Sequence, residues 1–458
     1  MILGSVPAAA QGVAAARSAG GPGGGEAAAG ATTPASSAAN PALAPYFHPQ
    51  QGTSSADLVR RALASNGELA AARLEVERAR ARVRQAGLRP NPTLDFEQTT
   101  GRLTGSPGEG ETSVGVSLPV ELGGRRRRRI ELARAELEAV EAEVADRERR
   151  LAGEVLVAHA EALAALRELE ITEGLTDIDL QTTKFVQARV NEGESAPIEL
   201  SLLRVEVERL RSRRALVEGR LQSALLRLKG LAGIPVEEPL RLREAIAGPT
   251  LREPPASLEA AVDIALRTRP DLRLARLNEE VAQAGLRLAR AQGSPDLTAS
   301  VRYTRERSVF DDTPVGPLSD RDRLLTVGVS VGIPVFNKNQ GAKEEAAAAI
   351  AQARTRREFL EQVVRSEVAS AYARYEAAGR AVRTFETGVI GSSNANVNSI
   401  RAAYQLGEYR VTDLLAEQRR LLDSQKEFTE ALTERYRALA DLQQAIGAPQ
   451  LTSEAEPK

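Results

Sequence analysis

Several short segments of the chain alternate apolar with small or polar residues, as strands with two unlike faces do. In "VGVSLPV" the apolar positions are Val114, Val116, Leu118 and Val120, and Ser113, Gly115 and Ser117 fall on the other face. The alternation returns in "LTASVRYT" from residue 297 and in "LLTVGVSVGIPV" from residue 324. With "PTLDFEQTT" at residues 92–100, the pattern predicts four strands of about ten residues. The hairpin loops at residues 101–110 and 306–322 are predicted to be long and polar.

The rest of the chain is dominated by helical periodicity. Residues 125–191 and 340–406 are 67 residues each and contain no proline, so each predicts a helix roughly 100 Å long. Ile130, Leu137, Val144 and Leu151 recur at heptad spacing, which indicates a narrow seam for helix packing. Bends are expected at Gly174 and at Gly388 or Gly391. Shorter helices are predicted at residues 56–85 and 258–291.

The order of elements occurs twice, which indicates an internal duplication. Each long helix ends at a Gly-Glu turn, at Gly193 and at Gly407, and these glycines lie 214 residues apart. We therefore predict a first repeat at residues 57–235, a linker at 236–257, a second repeat at 258–449 and a tail at 450–458. Residues 1–56 are rich in Ala, Gly and Pro and are predicted to be disordered. The first residues, "MILGSVPAAAQ", suggest either a signal-peptide remnant or a plain alanine-rich tail.

Four such strands fit either a half-buried sheet of a soluble protein or part of a membrane barrel, since tilted strands of 9–11 residues span a bilayer. Four strands cannot close a barrel alone. An open edge in lipid leaves unpaired backbone groups that cost several kcal/mol each. A membrane location therefore requires a homo-oligomer, whereas a soluble coiled-coil scaffold does not.

Composition argues against an enzyme. The chain has 458 residues, no cysteine, two histidines and a net charge of −1. Thiolate chemistry and soft-metal sites are thereby excluded, and no basic field exists for nucleic acid. His48 lies in the predicted disordered segment, and His159 is expected at an ordinary surface position of a helix. We predict no catalytic residue, no metal site and no cofactor.

Five consecutive arginines, Arg125, Arg126, Arg127, Arg128 and Arg129, stand between the second strand and the first long helix. Cations are unfavourable at a helix N-terminus, so another group is expected to hold them. We predict a collar at the membrane interface that binds lipid phosphates, with Phe336 and Lys338 at the equivalent place in the second repeat. The alternative is a solvated cluster paired with Glu131 and Glu136.

The duplicated motifs "LPVELGGRRRRRIELA" and "IPVFNKNQGAKEEA", the segment "RPDLRLAR" and the two Gly-Glu turns resemble the outer-membrane efflux family typified by the TolC channel. The cobalt–zinc–cadmium (CzcC-like) branch is most similar. The resemblance covers residues 57–449. It implies a mainly α fold with a small β part: a trimer with a twelve-stranded β-barrel, four strands per chain, and a long α-helical barrel. It also implies a periplasmic adaptor protein and an inner-membrane RND-type pump as partners.

By the same resemblance, the two Gly turns form a periplasmic tip that gates the channel. The positions that match are Glu194, Glu199, Tyr404, Glu408, Tyr409, Arg410 and Asp413. The family pattern has an arginine two residues after the second glycine; here Tyr409 holds that position and Arg410 follows. The four acids, repeated by three-fold symmetry, would favour cations. Alternatively, they are ordinary helix-start acids that complement the dipole.

The sequence thus predicts an outer-membrane exit duct of a tripartite efflux system, with a large periplasmic part. It would conduct substrates passively, divalent heavy-metal cations being one class beside drugs and proteins. The alternative from another class is a soluble coiled-coil scaffold or interaction protein.

Overall fold

A computed structural model describes residues 41–103, 108–248, 251, 253–310 and 318–447. The predictions for residues 1–40 and for the tail at 450–458 lie outside these ranges. The helices are α1 (Ser55–Ser65), α2 (Gly67–Ala86), α3 (Arg125–Asn191), α4 (Pro197–Ala232), α5 (Leu258–Thr268), α6 (Pro270–Gln292), α7 (Gln340–Thr384), α8 (Ile390–Gln405) and α9 (Val411–Ile446). The strands are β1 (Thr93–Thr100), β2 (Gly110–Val120), β3 (Asp296–Phe310) and β4 (Leu318–Gly332).

The first long helix has the predicted bounds, and α3 is continuous over 67 residues. Gly174 therefore does not interrupt the helix, and a bend there stays a prediction. The second long helix is interrupted by a π-helical turn, Phe385–Val389, which separates α7 from α8 and contains Gly388. A π turn widens the helix locally and breaks the regular hydrogen-bond ladder.

The two shorter predicted helices are each divided in two, which corrects the sequence-based prediction. Asn66 has an extended backbone, and its side chain accepts from the Leu69 N–H at 3.0 Å, so it ends α1 and caps α2. At the equivalent place Arg269 is extended before Pro270, the first residue of α6. A residue that precedes proline is disfavoured in the helical region, which explains the second break.

The four strands form one antiparallel sheet in the order β1-β2-β3-β4. Pairing of β3 with β4 runs without a bulge from Asp296 opposite Gly332 to Phe310 opposite Leu318. Residues 306–310 and 318–322 therefore belong to strands, and the loop predicted at 306–322 is shorter than expected. Charged side chains in these strand ends made the segment resemble a polar loop, although successive residues alternate between the two faces of the sheet.

The largest core cluster lies midway along the helices, where α3, α4 and α9 pack together. Leu43 and Phe47 are buried in the same cluster, and the His48 N–H donates to the Leu242 carbonyl at 2.9 Å. The prediction of disorder is therefore wrong for residues 41–56. The few apolar side chains of residues 41–56 pack against residues 236–248. Local sequence could not predict this contact, because the two segments lie far apart in the chain.

The helices form a layer rather than a closed bundle. In the half near the sheet, α2 contacts α3, α3 contacts α6, and α6 contacts α7. In the half away from the sheet, α4 contacts α3, α3 contacts α9, and α9 contacts α8. The layer consequently has two lateral edges, as the sheet has.

Candidate functional site

The two Gly-Glu turns lie at the end of the helical layer away from the sheet. Gly193 follows α3 with φ 79°, and Gly407 follows α8 with φ 82°. The Glu194 N–H donates to the Arg189 carbonyl at 2.8 Å, and the Glu408 N–H donates to the Ala403 carbonyl at 2.9 Å. These are the long bonds of Schellman caps, which need a left-handed residue. Both repeats therefore end their long helices by the same mechanism.

A hydrophobic cluster joins the two turns. Its buried members are Val186, Leu200, Leu203, Tyr404, Val411, Leu414 and Leu415, which come from α3, α4, α8 and α9. This cluster holds the four helix ends together and fixes the position of Tyr404 between the two repeats. The resemblance had placed this tyrosine at the tip by position alone.

Tyr404 connects the two repeats by a hydrogen bond. Its ring is 4% exposed, and its hydroxyl donates to Glu199 Oε2 at 3.3 Å. Burial, and then the nearby Glu199 carboxylate, raise the pKa of Tyr404 to about 12. The phenol therefore stays protonated at neutral pH and remains a donor.

The remaining tip residues do not join this hydrogen bond. The Glu194 carboxylate lies 3.5 Å from Arg189, and the Asp413 carboxylate accepts from the Arg410 N–H at 3.1 Å as a helix cap. Glu408, Tyr409 and Arg410 are exposed. Of the seven predicted tip residues, the described structure links Tyr404 with Glu199 across the two repeats and Arg410 with Asp413 within one helix cap.

Sequence reasoning missed a buried polar pair above the tip. Asp179 on α3 accepts from Gln418 Nε2 on α9 at 2.8 Å, and both side chains are buried. Burial raises the pKa of Asp179 to about 6. Asp179 lies on the same buried face of α3 as Leu175 and Val186. A carboxylate at an apolar position of the helical repeat could therefore have indicated this buried polar pair.

Three arginines of the run donate hydrogen bonds to backbone carbonyls within the protein, which the prediction of a lipid collar did not include. Arg125 donates to the carbonyls of Ala291, Gln292 and Ser294 at the end of α6, and it pairs with Asp296. It therefore satisfies carbonyls that the helix C-terminus leaves free.

The neighbouring arginines serve α2 in the same way. Arg126 donates to the Gly87 carbonyl at 2.6 Å, and Arg129 donates to the carbonyls of Ala86 and Leu88 at 3.1 Å each. Arg129 also forms two hydrogen bonds with Glu121. The C-terminal ends of α2 and α6 are negative and lie beside the start of α3, which explains why cations are tolerated there.

The other predicted collar residues face outward. Arg128 and Arg127 pair with Glu131 at 2.7 and 3.6 Å, and the Arg127 side chain remains 71% exposed. Phe336 is 93% exposed. The Lys338 carbonyl accepts from Lys343 Nζ at 2.6 Å. Contact with lipid stays a prediction for Arg127, Phe336 and Lys338.

The sheet has one apolar exposed face. On it lie Leu94, Phe96, Val114, Val116, Leu118, Val120, Val301, Tyr303, Leu325, Val327, Val329 and Val331, all of them exposed. The opposite face carries mainly small and polar residues, with exposed Leu324 as an apolar exception, and Ser113 and Thr304 on it are buried. An apolar face turned to the outside and a polar face turned inward are typical of strands in a membrane barrel.

His159, expected at a surface position, is fully buried instead. Its Nδ1 lies 3.0 Å from the Tyr436 hydroxyl, and burial lowers its pKa to about 4. Among the described residues, no group of three or more His, Asp or Glu side chains could hold a metal ion. Within the same ranges, none of the helices is apolar enough over a sufficient length to cross a membrane.

A family profile described as "Outer membrane efflux protein" matches residues 58–234 and 261–448. The chain belongs to this family. It is an outer-membrane efflux channel and not an enzyme, and the family gives no support to a soluble scaffold. Its residence is the outer membrane, with a large periplasmic helical part.

Among curated proteins, the chain is similar to the cobalt-zinc-cadmium resistance protein CzcC of Cupriavidus metallidurans, with 23% identity over 390 residues, or 84% of this chain and 88% of CzcC. It is also similar to the pyoverdine export outer membrane protein OpmQ of Pseudomonas putida, with 26% identity over 406 residues, or 85% of this chain and 83% of OpmQ. Among solved structures, CusC matches with a TM-score of 0.70 and 24% identity over 86% of this chain and 92% of that chain. The predicted TolC-like fold, mainly α with four strands, is confirmed.

Proposed function

We propose that three copies of this chain form the exit duct of a tripartite efflux system, with a periplasmic adaptor protein and an inner-membrane RND-type pump as partners. The duct conducts its substrates passively. Divalent metal cations are the substrate class that the charges of the inner surface and the similarity to CzcC favour.

The observation that carries this proposal is the pair of open edges. β1 and β4 are the outer strands of the sheet, and each has one row of backbone groups without a strand partner among the residues that the structure describes. Such rows are very costly in lipid. The helical layer is open on the same two sides, because α2 and α4 lie at one side and α7 and α8 at the other. One symmetric operation therefore closes both the sheet and the layer.

The inner face of the sheet supports cation passage. Glu111, Glu306 and Asp322 lie directly opposite one another on β2, β3 and β4. They occupy the same face as Ser113 and Thr304, which is the polar one. Three copies would present nine carboxylates around the opening, and a ring of carboxylates favours cations.

At the other end of the duct, we propose that Tyr404 and Glu199 act as a latch of the closed tip. Their hydrogen bond ties α8 of the second repeat to α4 of the first. Opening of the tip requires these two helices to separate. Glu194, Glu408, Tyr409, Arg410 and Asp413 line the turns without joining the latch.

Engineered disulfides test the assembly, because the native chain has no cysteine. Leu94→Cys on β1 is combined with Val327→Cys, Val329→Cys or Val331→Cys on β4. In membranes, we expect oxidation of at least one pair to give covalent dimers and trimers. Leu94→Cys alone is the matched control and should stay monomeric on a denaturing gel. Absence of intermolecular products from all three pairs would refute the shared barrel.

The substrate class requires a separate measurement. Conductance of the reconstituted parent protein is compared with that of the variant Glu111→Gln, Glu306→Gln, Asp322→Asn. We expect the parent to prefer cations over anions and the variant to lose that preference. Equal ion selectivity in the two proteins would contradict a role for the carboxylates.

A further inference from the structure

Beyond the apolar band, the register of β3 and β4 sorts charged residues by sign. Arg305 lies opposite Arg323, and Arg307 lies opposite Arg321. Since side chains alternate along a strand, these four share the face of Val301 and Leu325, which is the outer one. Glu306 lies opposite Asp322 on the inner face. We call the four arginines the arginine quartet.

In the described part of the sheet, no oppositely charged side chain lies beside the quartet on the outer face. Its four side chains make no ion pair and no side-chain hydrogen bond within the described ranges, and all four residues are exposed. Their neighbours on β2 are Thr112 and Gly110, which carry no charge. Like charges directly opposite one another in a sheet are destabilising. The arrangement therefore favours an anion bound by the arginine side chains on the outer face of β3 and β4.

The order of residues along the outer face of β3 places the quartet relative to the membrane. Leu297, Ala299 and Val301 are apolar, Tyr303 follows with 44% exposure, and Arg305 and Arg307 come next. The same order is expected along a strand that passes from the hydrocarbon core of a membrane to its headgroups: apolar residues come first, an aromatic ring follows, and cations come last. The helices adjoin the other end of the strand, where Asp296 pairs with Arg125. The quartet thus lies at the outer surface of the membrane.

We propose that the arginine quartet binds phosphate groups of anionic lipid headgroups in the outer leaflet. Opposite residues lie about 5 Å apart, and successive residues on one face lie about 7 Å apart. Guanidinium groups bind phosphate oxygens in pairs, so the quartet suits two neighbouring phosphates. The inference rests on the outer-membrane location of the sheet and is independent of the exported substrate.

The test measures binding of diphosphorylated lipid A to the purified full-length protein in detergent by native mass spectrometry. The quartet variant is Arg305→Gln, Arg307→Gln, Arg321→Gln, Arg323→Gln. We expect the dissociation constant to rise roughly a hundredfold or more, since each of the four arginines near an anionic surface contributes about a fivefold factor. The matched control is Glu111→Gln, Glu306→Gln, Asp322→Asn, which alters the same level of the sheet on its inner face. Its affinity should be equal to or higher than that of the parent.

Two further arms separate the sources of phosphate. Dephosphorylated lipid A should bind the parent no better than it binds the quartet variant. Inorganic phosphate at matched concentration should not displace the lipid; full displacement would show a free-phosphate site and overturn the lipid proposal. If the quartet variant does not assemble, Arg307→Gln, Arg321→Gln replaces it, with a smaller expected loss. Equal affinity of the parent and the variant for lipid A would overturn the lipid proposal. Conductance of the reconstituted protein tests the proposed duct independently of this result.

Discussion

Replacement of Tyr404 by phenylalanine isolates the hydrogen bond at the tip. The hydroxyl donates to Glu199 Oε2 at 3.3 Å, and the ring packs in the cluster that contains Val186, Leu203 and Leu414. Phenylalanine keeps the ring in that cluster and removes only the donor. The variant therefore weakens the contact between α8 and α4 without opening a cavity.

The expected magnitude follows from the geometry of this bond. A hydrogen bond to a charged acceptor contributes about 1.5–3 kcal/mol, and a 3.3 Å bond to a half-buried carboxylate falls at or below the lower end, about 1 kcal/mol. Three copies acting together give about 3 kcal/mol. A concerted opening would then become more favourable by roughly a hundredfold.

The assay is single-channel recording in planar bilayers at neutral pH. We expect Tyr404→Phe to increase the open probability relative to the parent. Tyr409→Phe is the matched control, because this tyrosine in the same turn is 50% exposed and its hydroxyl makes no hydrogen bond within the described ranges. A parent-like open probability for Tyr404→Phe, or an equal increase in the control, would refute the latch.

Three further predictions concern stability, each measured as the thermal midpoint in detergent. Burial raises the pKa of Asp179 from 3.8 to about 6, so the folded state loses stability as pH rises from about 4 to about 6. Asp179→Asn should therefore raise the thermal midpoint at pH 7.5 and leave it unchanged below pH 4. Burial lowers the pKa of His159 to about 4 from 6.5, so the parent should lose stability as pH falls through that window, and His159→Gln should lose less. Arg129→Gln should lower stability by roughly 1–3 kcal/mol, because it leaves two helix-end carbonyls and Glu121 without their donor, whereas exposed Arg127→Gln should have little effect.

The sequence predicted best where periodicity is strong. The bounds of α3 follow from a proline-free stretch that ends at the Gly193 turn, and the faces of β2 follow from the two-residue repeat. The outer parts of β3 and β4 were missed because residues 305–307 and 321–323 alternate in sign of charge rather than in polarity. An alternation of Arg with Glu or Asp resembles a polar loop unless the faces are examined separately.

The partners of the arginine run could not be predicted, because they lie far away in the chain. Arg125 bonds to residues at the end of α6, more than 160 positions further on. Local sequence showed only that the cations were in an unfavourable place for α3. The two Gly turns of the tip were predictable from their spacing, but the bond between Tyr404 and Glu199 depends on the packing of four helix ends.

The most direct test of the account is electron microscopy of the purified full-length protein in lipid nanodiscs. We expect particles with three-fold symmetry in end views and a continuous hollow axis through both the sheet and the helical part. Single chains, or assemblies without an axial channel, would contradict the claim that sister chains complete the open edges.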